Sequence, residues 1–146
     1  MAVRFFAAGA FLLLCSVQDL RRRELSVRFL LAVGALSVVW DIVSCAEKSA
    51  EPAALMLACM PGLFLLLVWK VSGGRAGAGD GAALLVTGLL TGLETTFLTL
   101  CGGLVLCALG SGVLLAAGRV RKDTRIPFVP FLLAAFGGAA YVWYRN

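Results

Sequence analysis

The chain has 146 residues, of which 61% are hydrophobic and only 14% are charged. Soluble domains carry about 45–50% apolar and about 25% charged residues, so this composition excludes an ordinary soluble domain. The net charge of +5 could suit a nucleic-acid-binding protein, but the basic residues fall in short segments between apolar runs, a pattern typical of membrane topology.

Six apolar segments are predicted to cross the bilayer as helices, so the predicted fold is all-α and polytopic, with one membrane-embedded domain over residues 1–146. A run near 20 apolar residues can span a hydrocarbon core of about 30 Å. In chain order the spans are Phe5–Gln18, Phe29–Ser44, Ala53–Val71, Gly81–Leu93, Phe97–Ala117 and Ile126–Trp143. The fourth reaches only about 20 Å as a helix, so we expect it to begin below the membrane surface or to extend past Glu94.

The distribution of Lys and Arg predicts the orientation of these spans. The segments after the first, third and fifth spans hold ten basic residues, whereas the opposite side holds three, namely Arg4, Lys48 and Arg145. Because cytoplasmic loops carry the basic excess, both termini are predicted to face outward.

Glycines and cysteines within the spans have a simple interpretation. Small residues let helices in lipid approach closely, which predicts packing roles for three pairs of glycines. These pairs are Gly88 with Gly92 in a GxxxG pattern, Gly110 with Gly112, and Gly137 with Gly138. The five cysteines form no CxxC motif, so neither a zinc site nor a disulfide framework is suggested, and we interpret them as small apolar side chains.

The absence of histidine limits the possible chemistry. It removes Ser-His and Cys-His nucleophile pairs and HExxH metal sites. Hydrolysis must then use carboxylates, lysine, or a serine with an unusual base. The stretch "GAGDGA" also fits the dinucleotide pattern G-x-G-x-x-A, but that fingerprint requires a preceding strand and here a membrane helix precedes it.

Two carboxylates stand at helix–membrane junctions on the predicted cytoplasmic side. Asp19 ends the first span, and Asp80 begins the fourth span directly after a glycine-rich stretch. Taken alone, Asp80 could be a helix N-cap and Asp19 an interfacial residue paired with the neighbouring arginines. Acidic groups at membrane depth are costly and tend to be functional, so their predicted common depth favours a catalytic pair.

Such a pair needs neither a metal nor a cofactor. Two carboxylates that share a site hold one proton between them. The ionised member can activate a water while the protonated member polarises a peptide carbonyl, as in aspartic proteases. Gly77 and Gly79 are predicted to adopt backbone angles closed to other residues and to let a substrate chain come near.

The combination resembles the type IV prepilin peptidases, which are membrane aspartic proteases of the GxGD type. The resemblance covers nearly the whole chain and is carried by Asp19, by "GAGD" at Gly77–Asp80 and by "IPFVPFLLAAFG" at Ile126–Gly137. It implies that Asp19 and Asp80 are catalytic. It also implies cleavage of pilin-like precursors at the cytoplasmic membrane face, after a short basic leader that ends in glycine.

The chain departs from the family pattern at three places. "LSV" at Leu25–Val27 replaces the frequent I-P-N, and Ala82 and Ala83 replace the usual lysine and leucine. The loop Leu20–Arg28 is too short for the cysteine-bearing insertion associated with N-methylation, so the chain resembles a minimal, peptidase-only form.

The other two cytoplasmic carboxylates, Glu24 and Asp123, could contact the basic leader or pair with the arginines around them. Two further hypotheses for the whole chain stay open. One is a small transporter or channel with Asp19 and Asp80 as ion sites, and the other is an inactive scaffold of a pilus or secretion assembly. Besides the precursor, the predicted partner is the lipid bilayer, and no nucleic acid is expected.

Overall fold

The computed structural model describes residues 2–22, 27–46, 52–73, 77–118 and 127–145. Within these ranges all regular structure is helical, which confirms the predicted all-α class. The helices are α1 (Ala2–Arg22), α2 (Val27–Ala46), α3 (Pro52–Val71), α4 (Ala78–Thr91), α5 (Leu93–Ala116) and α6 (Val129–Arg145). Glu24, Asp123 and the predicted start of the sixth span at Ile126 lie outside the described residues.

Among the described residues, three helices are long and apolar enough to cross a membrane. These segments are Val3–Arg21 in α1, Ala53–Val71 in α3 and Leu93–Ala116 in α5. Helix α4 is apolar but shorter, and its 14 residues give about 21 Å of helix rise. Six crossings and external termini therefore stay predictions.

The boundary between α4 and α5 differs from the predicted one. Helix α4 neither reaches Leu93 nor extends past Glu94, because it ends at Thr91 and α5 begins at Leu93. Gly92 separates the two helices with a φ of 86° and a ψ of 175°. A positive φ is cheap only for glycine, so Gly92 is the turn residue rather than half of a GxxxG packing pair. The Thr96 hydroxyl donates to the Gly92 carbonyl at 2.7 Å and stabilises this turn.

Helix α4 is the centre of the fold, because it packs against α1, α2, α3 and α5. Its contact with α3 depends on glycine. A Cβ added to Gly62 would lie 2.6 Å from the Leu85 Cα and backbone nitrogen, and one added to Gly88 would meet the Ala58 carbonyl oxygen. Close backbone approach through small residues is a common mode of helix packing in lipid.

The other glycines with predicted packing roles behave differently from one another. A Cβ on Gly110 would come 3.0 Å from the Phe131 ring, so Gly110 does pack against α6. Added Cβ atoms on Gly112, Gly137 and Gly138 would meet nothing within 4 Å, so the packing roles predicted for these three within this chain are wrong.

The main core cluster joins α1, α2, α4 and α6 near the two aspartates. Its buried members are Ala8, Phe11, Leu12, Cys15, Leu30, Ala83, Val86, Val129 and Phe136. Cys15, Ala83 and Val129 are fully buried. Cys15 lies one turn before Asp19, and Ala83 lies one turn after Asp80, so apolar packing fixes the ends of the helices that carry these carboxylates.

A buried ion pair joins α1 to α2 at the opposite end of α1. Arg4 Nη1 lies 3.1 Å from Asp41 Oδ1, and the Arg4 guanidinium lies 5.8 Å from the centroid of the Trp40 ring. Asp41 is only 4% exposed, and its Oδ2 is buried without a hydrogen-bond partner. The pair stands about 22 Å from Asp19 along α1, at 1.5 Å per residue, so it belongs to a separate part of the bundle.

Candidate active site

Asp19 lies near the C-terminal end of α1 and is 9% exposed. Its Oδ2 accepts a hydrogen bond of 3.3 Å from the backbone N–H of Val129, the first residue of α6. The backbone N–H of Phe128 is a second donor to the same carboxylate. The side chain of Asp19 therefore joins the end of α1 to the beginning of α6.

Asp80 lies in the first turn of α4, ahead of the apolar segment predicted to enter the membrane and outside the candidate spans. Burial, and then the negative charge of Asp19, raise the pKa of Asp80 to about 7. The charge of Asp19 reaches Asp80, although the two residues are far apart in sequence, because α1 and α4 pack against each other. At neutral pH the pair can therefore hold a proton on Asp80.

The alternative interpretation of Asp80 as a helix N-cap is wrong. The N-cap position of α4 belongs to Gly77, and no side chain caps this helix end. The Asp80 N–H donates to the Gly77 carbonyl at 3.2 Å, inside the first turn. A carboxylate in this position still interacts favourably with the N-terminal end of the helix dipole.

The backbone role predicted for the glycines before Asp80 is also wrong. Gly77 has a φ of −74° and a ψ of 120°, which any residue can adopt, and Gly79 lies within the helix. The role of Gly77 is instead steric, because a larger residue at this position would collide with the Asp80 side chain. A Cβ at this position would lie 2.5 Å from Asp80 Oδ2 and 3.1 Å from its Cγ. The missing side chain of Gly77 leaves room for the Asp80 carboxylate.

The structure thus brings together Asp19, Asp80 and Gly77, whereas Glu24 and Asp123 lie outside the described residues. Sequence reasoning singled out the "IPFVPF" run but missed that its backbone N–H groups reach Asp19. The sequence did contain a clue to this contact. The apolar side chain of Phe128 cannot cap the N-terminus of α6, so a hydrogen-bond acceptor for its N–H groups must come from another part of the chain. No group of acidic, histidine or cysteine side chains within the described ranges could hold a metal ion.

The comparisons with known proteins agree with the motifs. A family model described as the type IV leader peptidase family matches residues 6–143, which include both aspartates and the start of α6. The comparisons with curated proteins and with solved structures gave no match. Because the family match covers nearly the whole chain, this protein belongs to the type IV leader peptidase family.

Proposed function

We propose that this chain is a membrane aspartic endopeptidase that cleaves the basic leader from pilin-like precursors at the cytoplasmic membrane face. Membership of the type IV leader peptidase family supports a leader peptidase-like protease. The observation that supports the aspartic mechanism is that Asp80 feels the charge of Asp19: burial, and then this charge, raise the pKa of Asp80 to about 7. One domain over residues 1–146 contains the whole reaction centre.

In the proposed reaction the carboxylate pair acts on a water and on the scissile peptide carbonyl. The ionised aspartate takes a proton from water while the water oxygen attacks the carbonyl carbon. The protonated aspartate gives its proton to the carbonyl oxygen, so a neutral tetrahedral diol forms. The C–N bond then breaks as the first aspartate passes its proton to the leaving nitrogen and the second takes a proton back from the diol.

The location of the pair supports access from the cytoplasmic side. Asp19 and Asp80 stand at helix ends, next to the basic segments that predict a cytoplasmic location. A reporter fused after Arg23 or Arg121 should therefore read as cytoplasmic, and one fused after Lys48 as external. The opposite pattern would place both aspartates outside the cell and contradict cleavage at the cytoplasmic face.

The direct test uses the purified protein in lipid nanodiscs and a synthetic precursor with a basic leader, a glycine and an apolar segment. Mass spectrometry of the products should show one cut directly after the glycine. Asp19→Asn and Asp80→Asn should each lower the cleavage rate by at least about 10²-fold, because each removes a group that transfers a proton.

Glu94→Gln is the matched control, since Glu94 is an exposed carboxylate in the first turn of α5. It should cleave like the wild type. Near-normal cleavage by either aspartate variant would refute the dyad. A bilayer ion current or ion-coupled uptake without cleavage would favour the transporter hypothesis instead.

A further inference from the structure

The beginning of α6 is capped by a side chain from another helix. The cap residue Phe128 has an apolar side chain and cannot accept hydrogen bonds from the first turn. The Asp19 carboxylate of α1 does so instead, with Oδ2 at 3.3 Å from the Val129 nitrogen and with the Phe128 N–H as a second donor.

The remaining donors of this helix end need no partner from elsewhere. Pro130 has no N–H. The Phe131 N–H donates to the Phe128 carbonyl at 3.0 Å, and the Leu132 N–H donates to the same oxygen at 3.2 Å. A helix N-terminus normally leaves about four N–H groups without an intrahelical partner. Of the two that remain, the Val129 N–H donates to Asp19, and the Phe128 N–H interacts with the same carboxylate.

We propose that the N-terminus of α6 is the positioning element of the carboxylate pair: its Phe128 and Val129 N–H groups orient Asp19 and favour its ionised form over that of Asp80, so that Asp19 activates the water and Asp80 carries the proton. This inference rests on the proposed function for its catalytic meaning. Phe128 and Val129 are positioning residues, because they act through Asp19 and not on the substrate.

Two physical effects separate the roles of the aspartates. Backbone N–H groups that donate hydrogen bonds to a carboxylate favour its charged form and oppose the cost of its burial. Asp19 has such donors at the beginning of α6. Asp80 has no such donor from α6, and the charge of Asp19 acts on it to favour protonation. The asymmetry of the site therefore comes from the beginning of α6.

The charged and titratable groups around Asp19 are few among the described residues. Asp80 faces it from α4, and the Cys15 thiol interacts with it from one turn earlier in α1. Helix α6 contributes no titratable side chain at this end, because its first turn consists of Val129, Pro130, Phe131 and Leu132. The backbone donors of α6 are thus the feature to perturb.

The test removes a single N–H. Val129→Pro deletes the donor at the first helical position, where proline is well tolerated. Val129→Ala is the matched control, since it loses buried side-chain volume but keeps the N–H. An ester in place of the peptide bond between Phe128 and Val129 deletes the same N–H and keeps the valine side chain, in case Val129→Pro does not fold.

The first readout does not depend on peptidase activity. In an Asp80→Asn background, carboxyl infrared bands or ¹³C-Asp NMR follow the ionisation of Asp19 against pH. The midpoint should move to higher pH by about one unit, a tenfold change in the ionisation constant, in Val129→Pro or the ester but not in Val129→Ala. Equal midpoints in all variants would refute the role of α6.

The second readout is the pH–rate profile for the precursor peptide in the Asp80-containing protein. Its acidic limb should move upward by the same unit with Val129→Pro and stay in place with Val129→Ala. A shifted midpoint in the first experiment without any cleavage by the wild type would support the capping role but refute the proposed function. Cleavage with unshifted limbs and midpoints would refute the capping role alone.

Discussion

Gly77→Ala tests whether the space beside Asp80 is needed for catalysis. A Cβ at this position would lie 2.5 Å from Asp80 Oδ2, whereas ordinary contacts begin at 3.4 Å, so the carboxylate oxygen must move by about 0.9 Å. A misplacement near 1 Å can cost about 10²-fold in rate, which corresponds to about 2.7 kcal/mol in the activation barrier. The fold should tolerate the change, because a φ of −74° suits alanine and the displaced atom ends a flexible side chain.

The assay compares kcat/KM for the precursor peptide with the thermal unfolding of the same sample in nanodiscs. Gly77→Ala should lose about 10²-fold in kcat/KM with little change in Tm. Gly73→Ala should instead lower Tm and leave kcat/KM nearly unchanged. A φ of 66° at this position strains an alanine by about 1–2 kcal/mol, whereas the added Cβ has nothing within 4 Å. Wild-type turnover by Gly77→Ala would refute the argument that this glycine makes room for the catalytic carboxylate.

Three further predictions concern stability, measured as thermal or denaturant-induced unfolding in detergent or nanodiscs. The raised pKa of Asp80 contributes stability that is fully present below pH 3.8 and is lost as the pH rises through about 7. Asp80→Asn should therefore raise Tm at pH 8 and not at pH 4. An equal change in Tm at pH 4 and pH 8 would contradict the burial of this carboxyl. Arg4→Met leaves Asp41 buried and unpaired and should lower the free energy of unfolding by about 3–5 kcal/mol. Adding Asp41→Leu should restore most of this loss. An Arg4→Met variant as stable as the double variant would contradict the ion pair. Gly62→Ala should destabilise the protein by about 1–3 kcal/mol, because the added Cβ disturbs the contact between α3 and α4. Gly138→Ala is the control and should leave the stability nearly unchanged, since its added Cβ has open space around it. Similar effects of both variants would contradict the close packing at Gly62.

Several features of the site could be predicted because they depend on local chemistry. A buried acidic residue in an apolar chain is costly wherever it stands, so Asp19 and Asp80 are conspicuous without any structure. The lack of histidine confines hydrolysis to few mechanisms. The ion pair of Asp41 with Arg4 was not predicted, because the identity of the partner depends on how α1 and α2 meet.

The glycines show where such reasoning stops. The sequence indicates that a glycine is present but not which of its properties is used. Gly92 uses its freedom of φ to end α4, Gly62 and Gly88 use their small volume against α3, and Gly77 uses the same small volume beside a carboxylate. Each use depends on what lies opposite in space, and that is decided by packing.

The sequence by itself determined the helical class and the approximate helices and singled out the two aspartates as candidates, because hydropathy and charge act along the chain at the range of a few residues. Only the tertiary structure decided that α4 stops at Gly92, that Asp19 and Asp80 interact, and that the beginning of α6 is bound to Asp19. These contacts join residues from different helices. They form because buried backbone N–H groups and carboxylates must find partners when the apolar core brings their helix ends together.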